Sequence, residues 1–379
     1  MDIAYYMPFK PMGHQNPSGD LVTGTELFDH LAEQNHTIKL ASRLRCRWIY
    51  YRPGIWFQYF WEKRRIIKRC RTQRPDLWIS YHSYYKAPDI LGSSCSKTLK
   101  IPYVIFQGIY STKRKKKLTT LPGFLLNRKV LLSADLVITN KKKDLKNLRR
   151  ILPEERVVYI APGINPDNFI FSAESREQLR QKWNSPDEMI ILTAAMFRPG
   201  VKTEGIKQVI SSCAQLASTG RDFCLWICGD GACRKELRKT ADKLLPGKVR
   251  FLGKIPRNEM YRYYSAADIF AFPGIEESLG LVYLEAQSCR LPVVACSDWG
   301  GGEAVIHNRT GLLSPATEPS AFTRDIDNLL SDKTLRNNLG KNGAEQIRRR
   351  HDLKQNYIFL EKKLQTLITP SSTIRPHRQ

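Results

Sequence analysis

The chain has 379 residues, more than one hydrophobic core usually supports, so two domains are expected. Apolar residues make up 42% and aromatics 10%, which excludes an intrinsically disordered chain; no run nears the ~18 apolar residues of a membrane span, and the basic-then-apolar start of a signal peptide is missing. The formal charge is +25, of which Met1–Asn168, with 30 basic and 13 acidic residues, carries +17, enough to draw an anionic partner toward the N-terminal half.

Read along the chain, Asp2–Pro8 is a short apolar and aromatic run, and Leu21–Gln34 has helical spacing after the Pro17-Ser18-Gly19-Asp20 turn. Asp76–Tyr81, Ile101–Phe106, Ala134–Thr139 and Val157–Ile160 read as further strands separated by helical stretches. Pro162–Phe169 (PGINPDNF) has the turn residues of a junction, and the domain boundary is placed at Asn168. The scheme then repeats with Met189–Ala194, Phe223–Cys228, Val249–Leu252, Ile269–Phe272 and Pro292–Ala295. Continuous apolar strands alternating with helices predict an α/β protein with parallel sheets covered on both faces. His351–Ile368 is helical in pattern, and Thr369–Gln379 is polar and expected to be loose.

The nine cysteines are odd in number, form no C-x-x-C pair and mostly sit in apolar runs, which suits reduced thiols in the cytosol. Cys224, Cys228 and Cys233 have no nearby histidine and straddle a buried strand, so no metal site is expected.

The chemistry concentrates in Phe270–Ala295 (FAFPGIEESLGLVYLEAQSCRLPVVA). Glu277 lies in a loop after a strand, and a helix from about Gly280 carries Glu285 in its second turn. A helix start presents unpaired amides and a partial positive charge, so Gly280, Leu281 and Val282 suit a phosphate. Glu285 then lies in reach of ribose hydroxyls, and Glu277 in reach of a sugar.

The run E-S-L-G-L-V-Y-L-E resembles the E-x7-E motif of retaining family 4 glycosyltransferases (glycosyl transferases group 1), and the resemblance extends over nearly the whole chain. Gly229-Asp230-Gly231, Val249–Gly253, Ala266–Ile269, Pro292–Ala295, Gly300–Glu303 and Thr310–Leu313 occur in the family's order. The resemblance implies the GT-B fold: two facing Rossmann-like β/α/β domains and a last helix crossing back to the first. The expected division is 1–168 for the acceptor side, 169–350 for the nucleotide sugar, 351–368 for the crossing helix and 369–379 for the tail. It also implies a nucleotide-sugar donor, linked to UDP or GDP, and catalysis without a metal or other cofactor.

By the same resemblance, Arg198 and Lys202 in MFRPGVKTEG hold the donor diphosphate, where two cations suit the charge that develops on the leaving group. The usual spacing is one residue longer, which leaves Lys207 as a substitute for Lys202. Lys254 and Ile255 fall where the family holds the base through backbone groups. Gly229 and Gly231 serve either the donor or a tight turn, and Ser18 and Gly19 occupy the place of the family's glycine-rich loop. Where the family often has a histidine poised at the sugar, this chain has Gln107, which cannot carry a proton; His82, at the end of the neighbouring strand, either takes over or bonds structurally.

Arg43–Arg74 combines Trp48, Trp56, Phe57, Phe60 and Trp61 with eleven Lys and Arg, and Lys113–Lys117 and Lys141–Lys143 extend the basic surface. Rings beside cations suit an anionic membrane face. The expected activity is therefore transfer of a sugar to a lipid-linked or cell-surface glycan acceptor, as in lipopolysaccharide or glycolipid synthesis, by a cytoplasmic enzyme peripheral on the inner face of the membrane. Two rivals are a basic Rossmann-like nucleic-acid-binding protein, which leaves the E-x7-E segment without a use, and a transferase with a soluble sugar acceptor, which has no need of a +17 half.

Overall fold

The computed structural model describes residues 1–13 and 19–369; Ser18 and residues 370–379 of the expected tail lie outside them. Residues Met1–Ile160 and Lys354–Gln379 form one compact unit and Ala161–Leu353 the other. The division falls before Pro162–Phe169 rather than at Asn168. That segment is tied to the second unit: the Ile164 amide donates to the His351 carbonyl at 2.9 Å, and the Phe169 ring lies 6.4 Å from that of Tyr264.

The first unit is built on a six-stranded sheet of β1 (Asp2–Tyr6), β2 (Thr37–Ser42), β3 (Leu77–Ser83), β4 (Tyr103–Gly108), β5 (Leu136–Thr139) and β6 (Val157–Tyr159), in the order β2-β1-β3-β4-β5-β6. The second has β7 (Ile190–Ala194), β8 (Cys224–Cys228), β9 (Val249–Gly253), β10 (Ile269–Ala271), β11 (Val293–Cys296) and β12 (Gly311–Ser314), in the order β12-β11-β10-β7-β8-β9. Every pairing is parallel. Two strands escaped the sequence reading, β2 and β12, and both are sheet edges. Thr37–Ser42 alternates exposed and half-buried positions over its first four residues, and Gly311–Ser314 has only two apolar residues, set between a glycine and a serine, so neither shows the continuous apolar run of a central strand.

The strand orders fix where ligands can sit. A parallel strand must return through a helix, and the order reverses direction at one point in each sheet: between β1 and β3, and between β7 and β10. There the following loops part on opposite faces and leave a crevice at the carboxyl ends of the strands.

Side chains pin the helices to the sheets. In the second unit Asp268, just ahead of β10, accepts from Arg176 and Arg180 at 2.6 Å each and from the Ile190 amide at 2.8 Å, fastening helix Ala173–Lys182 beside β7. The last helix, Leu353–Ile368, belongs to the first unit: Glu361 meets His30 at 2.6 Å and His36 at 3.3 Å, while Tyr357 and Leu364 are buried. All nine cysteines are free and buried. Among the described residues no helix is long and apolar enough to cross a membrane.

Replacing Asp268 by Asn leaves the buried Arg180 guanidinium without its countercharge, an unpaired charge that costs about 3–5 kcal/mol. The urea midpoint of the second unit is expected to fall accordingly; an unchanged midpoint would show that Asp268 does not anchor the helix.

Candidate active site

In the second unit the crevice between β7 and β10 is the place where the two carboxyl-end loops carry Lys202 and Glu277. After β7 the chain turns through Gly200, at φ 93°, into helix Val201–Ser218, whose first turn holds Lys202. After β10 it passes Gly274, at φ 67°, and Glu276, at φ 53°, to Glu277. The Lys202 ammonium is ion-paired with the Glu277 carboxylate and lies 5.4 Å from the centre of the Phe272 ring. Lys207 is elsewhere, held by Glu204 at 3.0 Å and Glu236 at 2.5 Å, so the lysine brought to Glu277 is Lys202. Arg198 is on the same loop, largely exposed, and its carbonyl accepts from the Thr203 hydroxyl at 2.7 Å.

Gly229 and Gly231 brace that loop. Their φ values are 142° and 150°, and a β-carbon would come within 1.9 Å of the Ala195 carbonyl oxygen at the first and 2.6 Å of the Phe197 carbonyl oxygen at the second. The Phe197 amide in turn donates to the Asp230 carbonyl at 3.0 Å. The two glycines therefore let the 229–231 backbone lie directly against the chain leading to Arg198. Lys254, exposed, and Ile255, half-buried, follow β9, whose Gly253 carbonyl accepts the Gly229 amide at 2.8 Å.

Gly280 caps helix Leu281–Ser288 at φ 67°, and a β-carbon there would come within 2.8 Å of the Gly300 carbonyl oxygen. Leu281 and Val282 are half-buried in the first turn. Glu285 is only 4% exposed; Oε1 accepts from Arg257 Nε at 2.8 Å and Oε2 from the Tyr264 hydroxyl at 3.1 Å. Burial and the adjacent Glu285 charge push the Tyr264 hydroxyl well above its usual range, so it stays a donor. Arg257 and Tyr264 went unnoticed in the sequence because they reach Glu285 across 28 and 21 residues with no local pattern.

In the first unit the reversal between β1 and β3 gathers another group. Gly19 starts helix Gly19–Glu33, Asp20 follows it, and Asp20 Oδ1 lies 3.8 Å from Nδ1 of His82 on β3. The register of β3 and β4 sets His82 beside Gln107. Both have left-handed backbones, φ 70° and 59°, and both are buried, at 7% and 5% exposure. Among the described residues neither His82 ring nitrogen nor Gln107 Nε2 has a hydrogen-bond partner.

Burial pushes the His82 pKa below its ordinary 6.5; Asp20 opposes this, while Lys141 and Lys10 reinforce it. Among the described residues no cluster of three metal-ligating side chains occurs.

Residues 175–346 match the family model for glycosyl transferases group 1. That segment holds Arg198, Lys202, Glu277, Gly280 and Glu285. A GDP-mannose-dependent alpha-(1-6)-phosphatidylinositol monomannoside mannosyltransferase of Mycolicibacterium smegmatis is 29% identical over 188 residues, 48% of each chain. A D-inositol 3-phosphate glycosyltransferase of Streptomyces bingchenggensis is 25% identical over 294 residues, 73% of this chain and 64% of its own. The chain thus spans about half the length of the mannosyltransferase it matches. The solved structure of HepE from Anabaena in complex with UDP superposes with a TM-score of 0.75 at 17% identity, over 97% of this chain and 100% of its own. Sucrose-phosphate synthase from Thermosynechococcus elongatus superposes with a TM-score of 0.73 at 20% identity, over 98% and 100%. Two parallel six-stranded sheets with flanking helices, shared with these neighbours, make the fold GT-B. Within the matched segment the E-x7-E glutamates have different surroundings: Glu277 stands at the crevice with a lysine, and Glu285 is buried between Arg257 and Tyr264.

The lowered His82 pKa has a consequence for stability. A histidine that binds its proton more weakly folded than unfolded contributes stability that is complete above about pH 6.5 and is lost as the pH falls through and below that value. His82→Asn should flatten this part of the acid limb in thermal melts taken between about pH 7 and 5. Identical slopes for parent and variant would mean that His82 titrates as freely in the folded chain as in the unfolded one.

Proposed function

We propose that the protein is a retaining family 4 glycosyltransferase that moves a sugar from a nucleoside diphosphate sugar, linked to UDP or GDP, to a membrane-associated glycan or lipid acceptor. The observation that carries this reading is the Lys202–Glu277 pair at the β7/β10 reversal, inside the segment that matches the group 1 model. It puts a cation for a leaving phosphate and a carboxylate for sugar hydroxyls on the two loops that border a ligand crevice.

In this reading the diphosphate rests on the amides at the start of helix Leu281–Ser288, with Gly280 allowing close approach, and Arg198 and Lys202 neutralise its charge as the sugar–phosphate bond breaks. Glu277 trades its lysine for the hydroxyls of the sugar. Glu285, oriented by Arg257 and Tyr264, takes the ribose, and backbone groups at Lys254 and Ile255 border the base. Departure of the diphosphate and attack by the acceptor occur on the same face of the sugar, with no metal or other cofactor. The first unit receives the acceptor, and His82, Gln107 and the Gly19 turn are its polar contacts. His82, neutral at pH 7, can accept a proton that Gln107 cannot.

Exposed aromatics favour a membrane-bound acceptor. On helix Pro53–Thr72, Phe57 and Trp61 are 68% and 64% exposed, and Arg64 and Arg65 continue the same face at helical spacing. The Tyr51 hydroxyl donates to the Thr119 carbonyl at 2.6 Å, which sets Lys113–Lys117 and the 86% exposed Leu118 beside that helix. Rings at headgroup depth ringed by cations suit an anionic bilayer on the cytoplasmic side. The relatives point the same way: one acts on a phosphatidylinositol mannoside, and a solved neighbour, WaaG, takes part in lipopolysaccharide biosynthesis.

The reaction is tested by nucleotide release from a panel of UDP- and GDP-sugars, with and without lipid acceptors. Arg198→Ala is expected to slow release about a hundredfold, the worth of one charge-assisted contact to a developing anion, roughly 3 kcal/mol. Parent-like turnover in that variant would displace the diphosphate from this loop.

Docking is tested by cosedimentation with vesicles. Binding to phosphatidylglycerol vesicles should exceed binding to neutral ones, fall with salt over a Debye length of ~8 Å, and vanish when Phe57, Trp61, Arg64 and Arg65 become Ser. Trp56 is kept in that variant because it packs against the core of the first unit. Tight binding to single-stranded DNA with none to vesicles would favour the nucleic-acid reading instead.

A further inference from the structure

The second unit has a cavity of about 480 Å³ on the side of its sheet away from the E-x7-E loop. Asp268 and Pro292, which precede β10 and β11, line it, whereas Glu277 and Gly280 follow β10. A three-residue strand spans about 10 Å, so the cavity and the donor loops are separate places on one domain.

Its walls are chemically uneven. Arg176, Arg290, Arg336 and Lys341 supply four cations, against the single carboxylate of Asp268, which is already shared by Arg176 and Arg180. Arg336 spends one guanidinium nitrogen on the Leu329 and Leu330 carbonyls, at 2.5 and 3.0 Å. Arg290 and Lys341 are exposed and, among the described residues, have no ion-pair partner. Arg290 is held at φ 60°, and its carbonyl lies so close to helix Lys333–Arg350 that a β-carbon on Gly340 would come within 2.1 Å of it, which fixes Arg290 next to Lys341. The rest of the wall is mixed: Phe171, Leu291 and Pro292 are apolar, Ser265 and Asn337 are polar, and the Tyr264 ring is almost wholly buried, at 1% exposure.

We propose that this cavity binds a small organic phosphomonoester: the phosphate meets Arg290, Lys341 and Arg336, and a ring-sized body rests on Phe171 and Pro292, with Tyr264 buried beneath them. A bare phosphate would leave most of a 480 Å³ cavity unfilled. Occupancy is transmitted to the donor site in two ways. Tyr264 lines the cavity and also donates its hydroxyl to Glu285. Helix Leu281–Ser288 begins at Gly280 on the donor side and runs directly into Cys289 and Arg290 at the cavity. The phosphoester is thus a regulator of nucleotide binding, a role that rests on the proposed place of Glu285, while its binding to the cavity does not.

The two parts are measured separately on the full chain. Saturation-transfer NMR without nucleotide, using a hexose 6-phosphate, inorganic phosphate and the neutral hexose, is expected to show the hexose 6-phosphate binding most tightly. Arg290→Asn, which tolerates the left-handed backbone, combined with Lys341→Gln should weaken it about tenfold or more. Equal binding by parent and variant, no binding by either, or inorganic phosphate binding as tightly as the hexose phosphate would each overturn the site. Calorimetry with UDP and with GDP then reads the coupling: a saturating hexose 6-phosphate should change the affinity of whichever nucleotide binds by about fivefold, and Tyr264→Phe should keep phosphoester binding while abolishing that change. A nucleotide affinity indifferent to the phosphoester in the parent would overturn the regulation. If neither nucleotide binds, the donor-site reading fails while the phosphoester result stands on its own.

Discussion

Parallel pairing is the constraint on which the rest of this molecule rests. Each strand must leave its sheet through a covering helix before it returns, so every strand end of one polarity faces one edge, and all the loops of that edge are released from packing at once. The reversal in strand order then decides which two of those loops part. In the second unit they are the loops after β7 and β10, and the residues they carry are a lysine and a glutamate that already bind each other.

That pairing explains how a strongly charged crevice can be stable before a ligand arrives. Lys202 and Glu277 are about three-quarters buried, and either alone would bear a desolvation cost that the partner offsets. Glu285 is handled differently. Arg257 and Tyr264 fix its carboxylate from two other segments of the chain, so its orientation is set by the fold.

The first unit concentrates strain where the second concentrates charge. His82 and Gln107 hold left-handed backbones side by side at strand ends, and their polar atoms are buried without partners among the described residues. The same unit has the aromatic and basic helix Pro53–Thr72, whose Tyr59, Ile66 and Cys70 face inward while Phe57 and Trp61 face out. One helix thus serves the core and a surface through a division that its sequence spacing already contains.

The sequence by itself determined the parallel α/β class, the central strands and the E-x7-E segment, while it put the domain boundary at Asn168, past the division before Pro162. These depend on local facts: uninterrupted apolar runs, helical spacing, and glycines where a helix start approaches another backbone. It could not show β2 and β12, because Thr37–Ser42 is wetted on one side and Gly311–Ser314 has only two apolar residues, so neither has the apolar run that marks a buried strand. Nor could it decide between Lys202 and Lys207, which differ only in which acidic side chain the fold brings to each. Arg257 and Tyr264 at Glu285, Asp20 at His82, and the cluster of Arg290, Arg336 and Lys341 were decided by tertiary structure alone. Each joins residues many positions apart, and a contact whose partners are set by strand order and helix packing has no signature in the spacing of the chain.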